Sequence, residues 1–100
     1  MYKPGVGGVS DPELIPSSRV APRYPLRARW RKLEGKVILS AVVEADGRVS
    51  SVKVVTAPEP DRGLARSAIQ AVRKWRYRPA LLEGRPVACH ITVVVNFNIE

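Results

Sequence analysis

The sequence predicts an α+β domain with helices lying over an antiparallel sheet, in the order helix, strand, strand, helix, strand. Three observations carry this. From Val87 onward every odd position (Val87, Cys89, Ile91, Val93, Val95, Phe97, Ile99) is apolar. The even positions (Ala88, His90, Thr92, Val94, Asn96, Asn98) are mostly small or polar, the period of a strand with one buried face. Two valine-bearing runs flank Asp46-Gly47, the strongest short hairpin signal. Between Arg62 and Lys74 the apolar residues recur at helical spacing. Strands and helices segregated in this way build α+β architectures.

Residues 1–20 carry Pro4, Pro12, Pro16 and three glycines (Gly5, Gly7, Gly8) with few large apolar side chains, and read as a flexible linker or tail. The Gly5–Gly8 run makes a poor phosphate loop, because no strand precedes it and no helix clearly follows. The domain proper is assigned to residues 21–100. Pro25 suits the start of a helix, with Tyr24 held extended before it. A helix from Pro25 to Leu33 places Leu26, Trp30 and Leu33 on one face, and Gly35 is its expected stop. Lys36 to Ala45 reads as a strand with Val37, Leu39, Ala41 and Val43 on one face, and Arg48 to Thr56 returns beside it. Asp61 is placed to cap the second helix by accepting a first-turn N–H. Leu64, Ala65, Ala68, Ile69, Ala71 and Val72 then form its buried stripe. A loop through Glu83-Gly84-Arg85-Pro86 leads into the last strand.

One hundred residues make one small domain. A chain this short buries only about two-thirds of its unfolded surface, so a deep catalytic cleft would consume much of its core. No apolar run approaches the roughly 20 residues of a membrane span, and no signal-peptide pattern opens the chain. The net charge of +8 attracts anionic polymers in general without choosing among them.

Catalytic chemistry has few candidates, and none is assigned. His90 is the one histidine and Cys89 the one cysteine. As strand neighbours they point to opposite faces, so they do not meet as nucleophile and base. One histidine and one thiol also give no metal-ligand spacing, so no metal or cofactor is expected. Cys89 reads as a small buried hydrophobe. In Trp75-Arg76-Tyr77-Arg78 the two rings share one face of an extended segment and the two guanidinium groups the other. Core packing of the rings explains this more simply than base stacking.

The last strand matters most for function. Thirteen residues from Val87 to Ile99 would extend roughly 43 Å and outrun their partners, leaving backbone groups unpaired. Such an edge accepts a visiting strand.

Pro22-x-Tyr24-Pro25-x-x-Ala28, Glu34-Gly35-x-Val37, Asp46-Gly47-x-Val49 and Ala71-x-x-x-Trp75-Arg76-Tyr77-x-Pro79 occur in this order. With this spacing, residues 22–99 resemble the TonB C-terminal domain family. The resemblance implies two helices packed on a three-stranded antiparallel sheet with a long C-terminal edge strand. It implies a periplasmic domain that binds the TonB box, a short extended segment of outer-membrane transporters, as a strand beside the last strand. Carried over by position, the peptide-binding residues are His90, Ile91, Thr92, Val93, Val94, Val95, Asn96 and Phe97, flanked by the segment from Val20 to Arg23. In the family, a proline-rich linker and an N-terminal membrane helix connect the domain to a proton-driven inner-membrane motor complex that powers uptake of ligands such as iron chelates or vitamin B12. Residues 1–20 resemble only the end of that linker, as in a piece of a longer protein. Two other readings stand beside this one. One is a basic module for nucleic acid or another anionic polymer, disfavoured for nucleic acid by the packing of Trp75 and Tyr77. The other is self-association into a homodimer by pairing or exchange of the last strand.

Overall fold

A computed structural model describes residues 2–98, so Ile99 of the expected strand lies outside the described residues. The elements are β1 (Glu13–Leu14), a 3₁₀ turn (Pro16–Ser18), α1 (Leu26–Trp30), β2 (Gly35–Val43), β3 (Val49–Thr56), α2 (Leu64–Val72), β4 (Tyr77–Arg78), β5 (Ala80–Leu82), β6 (Arg85–Val87) and β7 (Cys89–Phe97). The main sheet has three antiparallel strands in the order β3-β2-β7, as the α+β reading requires.

Alternation builds the core. Val37, Leu39, Ala41 and Val43 are all at most 2% exposed, and Val93, Val95 and Phe97 face the same cluster from β7. Leu64, Ala68 and Val72 of α2 close it from above. Asp61 caps α2 as expected: its carboxylate accepts the N–H of Gly63 at 2.8 Å and of Ala65 at 3.4 Å. In the Trp75–Arg78 stretch, Trp75 is buried and Tyr77 half-buried while Arg76 and Arg78 are exposed.

Four features differ from the sequence expectation. First, α1 spans only five residues, and the side chain it sends into the core is Ala28. Leu26 and Trp30 are 62% and 79% exposed, so they do not form the buried face with Leu33. The helix stops earlier than Gly35 because Lys32 turns left-handed at φ 53°. The Leu33 N–H then reaches the Ala28 carbonyl (2.9 Å) and the Lys32 N–H reaches that of Arg29 (3.1 Å), which is a Schellman closure. Leu33 reaches the core through this turn. A lysine at a left-handed position carries a steric cost, so Lys32→Gly is expected to stabilise the domain by about 0.5–1 kcal/mol, read from the urea midpoint.

Second, residues 80–87 form a hairpin rather than a loop. β5 and β6 pair as Ala80↔Val87, Leu81↔Pro86 and Leu82↔Arg85, and Glu83-Gly84 turns between them with positive φ at both positions.

Third, this hairpin ends the alternating run, so β7 has nine residues, about 30 Å, instead of thirteen. It is matched residue for residue by the nine of β2, from Gly35↔Phe97 to Val43↔Cys89. The last strand therefore does not outrun its partner. Its open side exists because the sheet ends there.

Fourth, the segment expected as a flexible tail packs along one end of the domain. Val9, 3% exposed, joins Ala80 and Cys89 in a second small cluster. β1 pairs with β4, and the Ser10 N–H donates to the Leu81 carbonyl at 2.9 Å. The prolines and glycines turn the chain, and Val9 and Leu14 between them supply the apolar contacts.

Candidate strand-acceptor edge

β7 lies at the border of the sheet, with β2 on one side. Which of its backbone groups face outward follows from one hydrogen bond. The His90 N–H donates to the Tyr2 carbonyl at 2.9 Å, on the side away from β2. Backbone direction alternates along an antiparallel strand, so Thr92, Val94 and Asn96 also point outward. Ile91, Val93 and Val95 point inward and bond β2 opposite Ala41, Leu39 and Val37.

Among the described residues, the pairing on the outer side of β7 is a single parallel bridge, Tyr2↔Cys89. It cannot lengthen along the edge. Pro4 has no N–H to give, and Gly5, at φ +68°, turns the chain away toward Val9. Among the described residues, no strand pairs with the outer edge of β7 beyond His90.

The opposite border of the sheet is β3, and it is poorly shaped for the same purpose. Its register with β2 slips twice, between Ile38/Leu39 and between Ser40/Val42. Ser51 sits at φ +52°, and Lys53 is exposed. Bulges and a lysine are how sheets discourage edge pairing. β7 carries an unbroken nine-residue register. The straight edge is the usable one.

Side chains of the outward residues lie on the face of the sheet away from the helices. Val94, 48% exposed, sits opposite half-buried Ile38 and gives an apolar spot in the middle of the edge. His90, Thr92 and Asn96 are exposed around it. Ile91, Val93, Val95 and Phe97 are turned toward the core, so they support the edge without presenting side chains to a partner.

Val20 and Arg23 are held elsewhere. The Val20 carbonyl accepts the Trp75 indole N–H at 2.8 Å, and the Arg23 carbonyl accepts the Ser67 hydroxyl of α2. Among the described residues no hydrogen bond or strand pairing joins either of them to β7. The link from this segment to β7 is Tyr24, whose ring meets Phe97 edge-on at 5.4 Å while its hydroxyl donates to the Leu33 carbonyl. Tyr2 and Tyr24 are the site residues sequence reasoning missed. For Tyr24 the available signal was the aromatic residue directly before Pro25; Tyr2 acts through its main-chain carbonyl, for which its side chain gave no signal.

Cys89 and His90 stay apart: the thiol is fully buried and the imidazole exposed. Burial, then the Asp11 carboxylate, push the Cys89 thiol above its ordinary range, the wrong direction for a nucleophile.

Fold and edge together define a class: a small α+β domain whose three-stranded sheet ends in a straight last strand that is open, among the described residues, on its outer side beyond His90. The family model described as the Gram-negative bacterial TonB protein C-terminal matches residues 20–99, and the chain belongs to that family. It is 34% identical over 92 residues to Protein TonB of Vibrio cholerae, covering 92% of this chain and 37% of that protein. It is 35% identical over 83 residues to Protein TonB of Escherichia coli, covering 83% of this chain and 34% of that protein. The chain therefore spans about a third of the length of these curated relatives. The solution structure of the Pseudomonas aeruginosa TonB C-terminal domain matches with a TM-score of 0.71 at 30% identity, covering 100% of this chain and 95% of that one. Membership of this family agrees with the reading of the chain as a non-enzyme.

Proposed function

We propose that this domain captures an extended segment of an outer-membrane transporter, the TonB box, by strand addition to β7, and passes force to it. The observation that carries the proposal is the uninterrupted outer edge with Thr92, Val94 and Asn96 facing out. Strand addition draws its affinity from backbone bonds and makes few demands on sequence, which suits one transducer serving several transporters. Tyr2 already takes the His90 amide, so the visiting strand is confined to the stretch ending at Phe97. The docking surface is then His90–Phe97, and Val20 and Arg23 contribute as a flank whose contact with β7 runs through Tyr24. So few bonds over so small an area give an affinity in the micromolar range.

Family membership supports the wider setting. The domain works in the periplasm, and its parent is anchored in the inner membrane by an N-terminal helix and coupled to a proton-driven motor complex. No helix among the described residues is long and apolar enough to cross a membrane.

Peptide titration at low and high salt tests the proposal. Strand addition depends on backbone bonds, so affinity is expected to change by no more than about threefold across that range. A fall of a hundredfold or more would instead assign binding to the basic surface. Sedimentation over a concentration series reads out the homodimer alternative, in which a second β7 occupies the same edge.

A further inference from the structure

We infer that α1 and the turn leading into α2 form a second, independent docking surface, one that seats the domain on an anionic phospholipid membrane. Leu26 and Trp30, one helical turn apart, are 62% and 79% exposed, the two most exposed large apolar side chains among the described residues, ahead of Val55 at 60% and Val6 at 59%. They project from a helix of only five residues, each at the rim of a different shallow cavity, so the exposed apolar surface is a pair of protruding side chains and not one continuous groove for a peptide. Arg27 and Arg31 follow each of them in sequence, and Arg62 approaches from the α2 side. These three arginines and Trp30 line a shallow cavity of about 220 Å³.

The charges there are uncommitted. Among the described residues the one ion pair is Arg48–Asp46, and the one cation–π contact is Arg19 over Trp75. Neither the three guanidinium groups nor the Trp30 ring is engaged by these. From Arg19 to Lys32 the sequence holds six basic residues and no acid. An indole and a leucine ringed by arginines match a membrane–water boundary: the apolar pair enters the acyl border while guanidinium groups meet lipid phosphates. A soluble polyanion would satisfy the arginines but leave Leu26 and Trp30 in water, and for that reason lipid is favoured.

This surface does not depend on strand addition, because none of its residues belongs to β7. It also carries its own reporter. Trp75 is buried, 4% exposed, so a change in tryptophan emission on membrane contact comes from Trp30. Vesicles of phosphatidylethanolamine with phosphatidylglycerol are expected to shift the emission to the blue, and vesicles of phosphatidylcholine alone are not. Trp30→Ala, followed by co-sedimentation, should lower partitioning onto the anionic vesicles about tenfold. Arg62→Glu should lower it by a similar factor. Both side chains project from the surface, so the variants are expected to keep the wild-type urea midpoint and peptide affinity. No blue shift with anionic vesicles, or unchanged partitioning of Trp30→Ala, would overturn the inference. So would equal binding of wild type and Trp30→Ala to an oligonucleotide that displaces the vesicles, which would reassign the arginines to soluble polyanions.

Discussion

Val94→Pro is expected to abolish peptide binding while leaving the domain folded, and Val95→Pro is expected to unfold it. The two positions are adjacent and carry the same side chain, and they differ in backbone direction and in burial, Val94 being 48% exposed and Val95 5%. The Val94 N–H points away from β2, by alternation from the His90 amide that donates to Tyr2. Proline there removes a donor that the isolated domain does not use, and edge strands tolerate that, at a cost of about 1 kcal/mol. The visiting strand loses its central bond and meets the pyrrolidine ring, so affinity should fall at least about a hundredfold, which is roughly 2.7 kcal/mol. Val95 is 5% exposed and faces Val37 across the β2 ladder. Proline there removes an inner bond and disturbs the core, costing about 3–5 kcal/mol, enough to threaten a domain of ordinary stability. Titration calorimetry and urea unfolding on both variants separate the outcomes. Unfolding by Val94→Pro with a tolerated Val95→Pro would invert the assignment of the edge.

Gly47→Ala carries the second large effect. Gly47 adopts φ +89°, and a Cβ built there would lie 2.3 Å from the Tyr77 carbonyl oxygen. The same glycine accepts the Tyr77 N–H at 2.9 Å, tying the β2–β3 hairpin to the strand that follows Trp75. Alanine adds left-handed strain of about 1 kcal/mol and forces that backbone bond apart. A total loss of about 3–4 kcal/mol is expected from urea unfolding. A loss below about 1 kcal/mol would mean that the Tyr77 segment yields freely, and that the hairpin is not held by it.

Much of this was written in the chain. The pattern Val37, Leu39, Ala41, Val43 fixes which face of β2 is buried, because a slip of one residue would expose all four. Asp46-Gly47 sets the hairpin, and Asp61 marks the start of α2, because each acts through bonds to residues beside it. Residues whose placement depends on distant partners were harder to read. The helical spacing of Leu26, Trp30 and Leu33 suggests a buried face, but Lys32 breaks the helix before that face is complete, and Ala28 is the residue of α1 that is buried in the core cluster. Alternation from Val87 to Ile99 suggests one strand because it runs without a break from Val87 into Cys89, although Val87 ends β6 and pairs with Ala80 of β5. Glu83-Gly84 between short apolar runs was the overlooked hairpin signal. The outward set of amides could not be read from the period of two, which gives side-chain faces and says nothing of which border is open. That required Tyr2, bonded to a residue 88 positions away.

The most direct test of strand addition is amide hydrogen exchange along β7, with and without a transporter-derived peptide. Ile91, Val93 and Val95 already bond β2, so their protection should be high and nearly unchanged. Thr92, Val94 and Asn96 should exchange fast in the free domain and become protected when the peptide binds. Protection gained at every second residue of this strand is the expected result; Thr92, Val94 and Asn96 left fast at saturating peptide would contradict the account.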